Sequence, residues 1–518
     1  MAMKPAGKFV LILLILGVII GGLMFARSKR DVLAPKGNVA GSGDIPKGVF
    51  GKVKKSDKVA IGVVTWGGYA GGQYYNRGFN INQSSKYLTD QGIKVEFKII
   101  DDFKQSRDAF LADEVNFLWG TVDAITTEIS GLIKQSGGIK IAFQADWSQG
   151  GDAFVVGPGI STVTDLIGKK VAFAEMTPSH TFLLYALDAS DLQISDIQTV
   201  VVADAIEAAK LFREGQVDAA VVWSPDDEDC VKKVSGSKIL MSTKDAPFII
   251  PDVFMVKTAY LQANREVVKK VMRGFFIGAA EINSSDQTKR AAAQVLSNGF
   301  GADFDEAFCY NAINNARLCT FQDNMQFFGL ESHSGMTGER IYNRMAKVYK
   351  SINYIRDPVP TWSEITDVSL LQELQGEFAS DVQQAAQPKQ AYTAPSKQDY
   401  TKEAVTTKAI RVTFATGSAE LSENAKEIIR YKFEDIALAS ANRIRIEGNT
   451  DNTGSRATNI SLSKKRANSC KSFLVNELSI DPNRIIVKGN GPDNPVADND
   501  TDKGRGKNRR VDFMLLGD

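Results

Sequence analysis

The chain has 518 residues, with 62 Lys and Arg against 61 Asp and Glu, and only two histidines. That length holds two to four domains, and the near-zero net charge excludes a global pull toward nucleic acid or anionic lipid. His180 and His333 are too few and too far apart for a histidine-rich metal site, so no metal or cofactor is expected. The four cysteines, Cys230, Cys309, Cys319 and Cys470, show no CxxC or other zinc spacing. Cys309 and Cys319 lie ten apart and either pair in an oxidising compartment or remain buried free thiols.

Phe9 to Ala26 reads FVLILLILGVIIGGLMFA, 18 residues without a charge. As a helix it spans about 27 Å, enough for one bilayer crossing with slight thinning. Lys4 and Lys8 precede it and Arg27, Lys29 and Arg30 follow, so basic residues do not orient it. Its exit, Met-Phe-Ala-Arg-Ser-Lys, lacks the small-residue cleavage pattern of a signal peptide, which favours an uncleaved transmembrane anchor at 9–26. Residues 27–56, rich in Gly, Pro, Lys and Ser, read as a stalk. A second stretch, 376–408, reads as a linker, and its aperiodic part, 380–406, reaches about 90 Å if extended. The folded blocks are then 57–375 and 409–518.

The larger block alternates strand and helix signals. KVAIGVVTW (58–66), IKVEFKII (93–100), VNFLWG (115–120), KIAFQAD (140–146), DAFVVG (152–157), KKVAFAE (169–175), TVVVA (199–203) and DAAVVW (218–223) are apolar, β-branched runs with amphipathic stretches between them. Such alternation predicts an α/β domain with largely parallel sheets, and ligands in these sheets sit at the carboxyl ends of strands. Trp66, Thr121, Asp146, Trp147, Ser179, His180, Thr181 and Trp223 fall at such ends. Trp66, Tyr69, Trp147 and Trp223 suit aromatic walls, and each is equally at home in the core or at the rim. Thr177-Pro178-Ser179-His180-Thr181 opens an apolar helix, where free backbone N–H groups suit an anion and plain capping accounts for the same residues. Asp146 is ambiguous, and Asp226 to Asp229 read as a solvated acidic face. Ser179 and His180 are neighbours without a third partner, so no catalytic triad and no enzyme activity is expected.

DLIGKKVAFAEMTPSHTFLLYAL (165–187) followed by EAAKLFREGQVDAAVVWSP (207–225) resembles the periplasmic solute-binding proteins of ABC importers, of the type serving nitrate, sulfonates, taurine and thiamine precursors. The resemblance spans about 57–375. It implies two α/β lobes joined by two crossover strands, lobe two at about 148–248, and a solute in the cleft.

In the C-terminal block, IRVTFATGSAEL (410–421) predicts a strand, a turn and a capped helix start at Ser422. RIRIEGNTD (443–451) is an alternating strand ending at Asp451, the next helix carries TNISLSKKRANSCKSFLVNEL, and strands RIIVKGNG (484–491) and RRVDFMLL (509–516) flank a polar loop. This βαβαβ pattern predicts a small α+β sandwich. Asn459 and Arg466 lie seven apart on one helix face. An Asp and an Arg at one pocket either clamp a zwitterion, carboxylate to ammonium and guanidinium to carboxylate, or simply pair with each other.

IEGNTDNTGSRATNISLSKKRANSCKSFLV with GRGKNRRVDF (504–513) resembles the OmpA-like peptidoglycan-binding domain over about 410–516. In that family the matching Asp and Arg bind the amino and carboxylate ends of diaminopimelate, which implies these roles for Asp451 and Arg466, with Thr450, Asn459 and Arg509 lining the same pocket. Asn449 stands where the family has His, and Ala415 where an acidic residue often follows the first-strand Phe. From 408 to 518 there are 19 Lys and Arg against 15 Asp and Glu, but the motif accounts for the basic cluster and no nucleic-acid partner is expected. The combined expectation is a single-pass inner-membrane protein with its bulk in the periplasm. It would hold peptidoglycan at its C-terminus and a small anionic solute in its cleft, as a receptor, sensor or transport-associated protein with a transporter or signalling partner in the membrane. The alternative is a membrane-to-wall scaffold whose lobes bind protein and no solute.

Overall fold

The computed structural model describes residues 57–518 apart from 333, 379, 387–389, 413, 415–416 and 518. The anchor expected at 9–26, the stalk at 27–56, His333 and Ala415 lie outside the described residues. Among the described residues no helix is long and apolar enough to cross a membrane.

The chain begins with β1 (Lys58–Val63), β2 (Lys94–Ile99), β3 (Phe117–Thr121) and the ten-residue β4 (Ile139–Ser148). It then enters a second sheet through β5 (Asp152–Val156), β6 (Lys170–Ala174), β7 (Gln198–Val202), β8 (Ala219–Trp223) and β9 (Lys238–Ser242). β10 (Pro251–Lys257) returns to the first sheet, and the short β11 (Ala316–Leu318) completes it. The orders are β11-β4-β10-β3-β1-β2 and β7-β6-β8-β5-β9. Two lobes joined by two crossings are therefore present, one leaving β4 and one entering β10.

The sheets are mixed, a correction to the largely parallel arrangement expected. β1 pairs in parallel with β2 and β3, and β6 with β7 and β8, as helical crossovers require. β10 runs antiparallel to both β3 and β4, and β5 antiparallel to β8 and β9. The antiparallel pairs belong to the strands that carry the chain between lobes, because a strand arriving from the other sheet enters from the opposite end. β1 and β3, buried along almost their whole length, read as continuous apolar runs for this reason.

The C-terminal sheet holds β12 (Ala404–Ile410), β13 (Arg443–Asn449), β14 (Ile485–Gly491) and β15 (Val511–Leu516), in the order β12-β15-β13-β14. The long helix Arg456–Leu478 packs on β13 and β14, and Gly448 permits the approach: a Cβ there would stand 2.1 Å from the Ser463 carbonyl oxygen. Two boundaries differ from expectation. The first strand lies at Ala404–Ile410, in register with β15, rather than beginning at 410, because Thr406, Lys408 and Ile410 are the positions that turn inward. A short helix, Asp502–Asn508, occupies part of the expected polar loop, capped by the Thr501 hydroxyl.

Several of the described residues of 376–408 pack against their neighbours. The helix Ser369–Phe378 runs into it, and β12 begins inside it. The buried Gln384 side chain accepts from the Phe321 N–H and donates to the Phe276 carbonyl. Tyr392 donates to the Ala441 carbonyl at 2.6 Å.

The C-terminal domain consequently packs on the two-lobed one. Lys408, almost wholly buried, reaches Asp188 at 2.8 Å and Asp191 at 3.2 Å. Arg344 bridges Asp188 (2.7 Å) and Asp435 (3.3 Å), and Arg340 pairs with Glu434 (2.7 Å) and Asp435. Backbone bonds from Phe248 N–H to Ala439 and from Ala441 N–H to Asp245 join the two directly. Asp188 ends the helix Pro178–Asp188, whose other end lies at the interlobe cleft.

Candidate functional site

A cavity of about 1290 Å³ lies between the lobes. Its walls come from the segments after β2 and β3 on one side and after β6, β7 and β8 on the other, so strand ends build it as the α/β pattern requires. Thr121 and Trp223 line it, as do Phe103 and Trp119. Trp223 stacks on Phe103 (centroids 6.3 Å apart, 24° between planes), and Phe103 meets Trp119 edge-on at 5.0 Å. Arg107 lies 5.0 Å over the Trp119 ring and holds Glu128 through Nε and Nη2.

Beneath this cavity lie four buried aspartates. Asp146 on β4 and Asp252 on β10 are direct register partners where the chain crosses between lobes. Asp252 is also in register with Thr121, and Asp152 with Trp223, so both carboxyls sit next to strand positions that line the cavity. Asp123 follows Thr121 by two residues. Trp66 Nε1 donates to Asp146 (3.3 Å), the Tyr69 hydroxyl to Asp252 (2.6 Å) and the Ser179 hydroxyl to Asp152 (2.9 Å). Neither oxygen of Asp123 and not Oδ2 of Asp146 has a hydrogen-bond partner among the described residues. Gly68 is required here: a Cβ would stand 1.9 Å from Asp146 Oδ2.

None of the four forms an ion pair among the described residues, so burial dominates their titration. Burial pushes Asp123 up to about 6. Asp152 is pushed up to about 7 by burial, against the Ser179 hydrogen bond. Asp146 and Asp252 are both raised by burial, and Asp252 further by the charge of Asp146.

The other expected cleft residues fall in different places. His180 is buried among Phe173, Tyr349 and Tyr354, accepts from the Met176 N–H at 3.2 Å, and is pushed down to about 4 by burial. It is a neutral core histidine. Thr181 shares a hydrogen bond with Tyr349 (3.0 Å). Trp147 packs on Phe248 and Phe327 and is absent from the cavity wall, a correction that follows from the side-chain alternation along β4. At the helix start expected to hold an anion, the Ser179 hydroxyl is spent on a buried carboxyl, which opposes an anion there. Asp123, Asp152, Asp252, Phe103, Arg107 and Trp119 did not stand out in the sequence. Their signal is an Asp or aromatic at or just beyond a strand end, a pattern too common to single out without the register.

The C-terminal domain presents a second site, at the end of β13. Asp451 pairs with Arg509 (2.5 Å) and accepts from the Thr453 N–H (3.0 Å). Burial raises its pKa, but these two partners outweigh that and hold it below the usual carboxylate range. Thr450 donates to the Asp451 carbonyl (2.8 Å), and Asn459 holds the turn through the carbonyls of Thr453 (3.0 Å) and Asp451 (3.4 Å). Arg466 stands two turns beyond Asn459, 4.7 Å over the Phe414 ring, donating only to the Ser418 carbonyl (3.2 Å). It is buried and has no carboxylate partner among the described residues. Burial, then the nearby Arg509, lower its pKa, and Asp451 opposes them. Asn449 faces elsewhere, bonded to Asp512 and Asn490 in a buried network on the sheet, so the His-to-Asn departure lies outside the clamp. The four cysteines are free and buried, with Cys309 and Cys319 unpaired.

These are a two-lobed periplasmic-binding-protein fold and an OmpA-like domain, and each part is similar to known proteins. Residues 73–285 match the NMT1/THI5 like family and residues 413–509 the OmpA family. Outer membrane protein Omp38 of Acinetobacter baumannii is 38% identical over 139 residues, 27% of this chain and 38% of its own length. Peptidoglycan-binding protein ArfA of Mycobacterium bovis is 36% identical over 104 residues, 20% of this chain and 32% of its own. The chain thus spans about a third of the length of these curated relatives. The periplasmic sulfonate-binding protein SsuA of Methylobacillus flagellatus superposes with a TM-score of 0.50 at 15% identity, over 66% of this chain and all of that one, a likeness of fold.

Proposed function

We propose that this chain is an envelope receptor that grips the peptide stem of peptidoglycan at Asp451 and Arg466 and holds a small solute between its lobes. The observation that carries the wall-binding half is Arg466: a buried guanidinium without a carboxylate partner among the described residues, two helical turns from the residue that braces Asp451. A ligand carboxylate satisfies it bidentately, and a ligand ammonium competes with Arg509 for Asp451. The likeness to a protein named for peptidoglycan binding supports the same reading. For the other half, an interlobe cavity walled by aromatic rings favours a receptor over a scaffold. The segment 9–26 supplies the inner-membrane anchor in this reading, and a transporter or signalling protein is the membrane partner.

The test is co-sedimentation of the full chain with purified diaminopimelate-type sacculi. The chain is expected in the pellet and to be released by free meso-diaminopimelate. A chain that stays in the supernatant at low ionic strength overturns the wall-binding reading.

A further inference from the structure

Seven carboxylates line the interlobe cavity against three cationic side chains, Lys104, Arg107 and Arg356, so its wall is net acidic. Asp123, Asp146, Asp152 and Asp252 lie buried beside the strand ends that build it. An ionised carboxyl buried without a cation costs several kcal/mol, and the chain places Asp146 and Asp252 side by side at the crossing strands, with Asp123 and Asp152 within electrostatic reach. An independent observation comes from donors. The indole N–H of Trp119, a residue 4% exposed, and Nη1 of Arg107 are both buried without a hydrogen-bond partner, and both residues line the same cavity. Trp223, Phe103 and Trp119 line the same cavity, and Arg107 already shows a cation seated over the Phe103 and Trp119 rings.

We propose that the solute of this cleft is a small organic cation, an amine or quaternary ammonium, that also carries an oxygen acceptor. The cationic end lies against the aromatic wall and toward Asp123 and Asp152. The acceptor end meets Trp119 Nε1 and Arg107 Nη1. This rests on the solute-binding reading above and replaces the anion expected from the helix start at Ser179.

Choline and glycine betaine are the probes, each against its uncharged-carbon isostere, 3,3-dimethyl-1-butanol and 3,3-dimethylbutanoate, with nitrate and ethanesulfonate as simple anions. Binding to the full chain in detergent is read by calorimetry and by the shift in unfolding midpoint. At least one cation is expected to bind, its isostere at least tenfold more weakly, and neither anion to bind. Asp123→Asn combined with Asp152→Asn is expected to weaken the cation at least tenfold while sacculus binding is kept. Should that variant fail to fold, the isostere comparison on the unaltered chain still decides. Equal affinity for cation and isostere, or binding of an anion alone, overturns the cation and leaves a solute-binding protein. No response to any probe at 10 mM overturns both readings.

Discussion

In the C-terminal domain Asp451 keeps a guanidinium and a backbone N–H, and its carboxyl titrates below the ordinary range. Between the lobes Asp123 and Asp152 have no cation, and theirs titrate above it. Asp451 lies shallower, 8% exposed against 0% for Asp123 and 4% for Asp152, and burial raises all three. The difference lies in whether the chain supplies the counter-charge itself. Where it does, the carboxylate is held ready as an ion. Where it does not, the carboxyl is either protonated or waiting for a charge from outside.

The largest test of this contrast is pH. Unfolded aspartates titrate near 4, so above that value the folded lobes bind protons the unfolded chain has lost, and stability falls as pH rises through the folded values near 6 and 7. Asp123 alone accounts for roughly 3 kcal/mol across this window. Unfolding of the two-lobed part, followed by tryptophan fluorescence, is expected at a higher midpoint at pH 5 than at pH 8, and Asp146→Asn is expected to flatten the profile. Asp451 runs the other way: its stabilisation is present above its ordinary value and disappears as pH drops through the lowered one.

Next in size is Arg466→Ala. Losing a charge-assisted, bidentate contact amounts to about 1.5–3 kcal/mol, so sacculus binding is expected to weaken by about ten- to a hundredfold with cleft ligands unaffected. Equal weakening at both sites refutes their independence. Lys408→Ala removes the cation shared by Asp188 and Asp191. Because those carboxylates are 40–49% exposed, the effect is on the order of 1 kcal/mol, measured as earlier proteolysis within 390–403 and separation of the unfolding transitions. The smallest change expected is His180→Phe. It removes one acceptor for the Met176 N–H and keeps the ring packing, for about 1 kcal/mol of stability or less and unchanged choline affinity.

The grouping of Asp451, Asn459 and Arg466 was legible in the sequence because its parts are nearly contiguous: they sit on one strand end and one helix face, and helical spacing alone brings two of them together. The cleft was legible only as strand ends. Asp146 and Asp252 become neighbours through the pairing of β4 with β10, and β10 carried no signal distinct from the surrounding apolar residues. The parity of β4 decides that Asp146 faces the hinge and Trp147 the aromatic packing, and one position of register reverses it. His180 was expected in the cleft because it follows a strand end. Its neighbours Phe173, Tyr349 and Tyr354 come from three different elements, and only packing reveals that they enclose it.

The helix Pro178–Asp188 begins beside the Ser179–Asp152 hydrogen bond and ends at the Asp188 carboxylate gripped by Lys408 and Arg344. Eleven residues of helix form a rod about 16 Å long, stiff on this scale. Lys408 and Arg344 therefore tie the C-terminal domain, through one stiff strut, to the helix start at the mouth of the cleft.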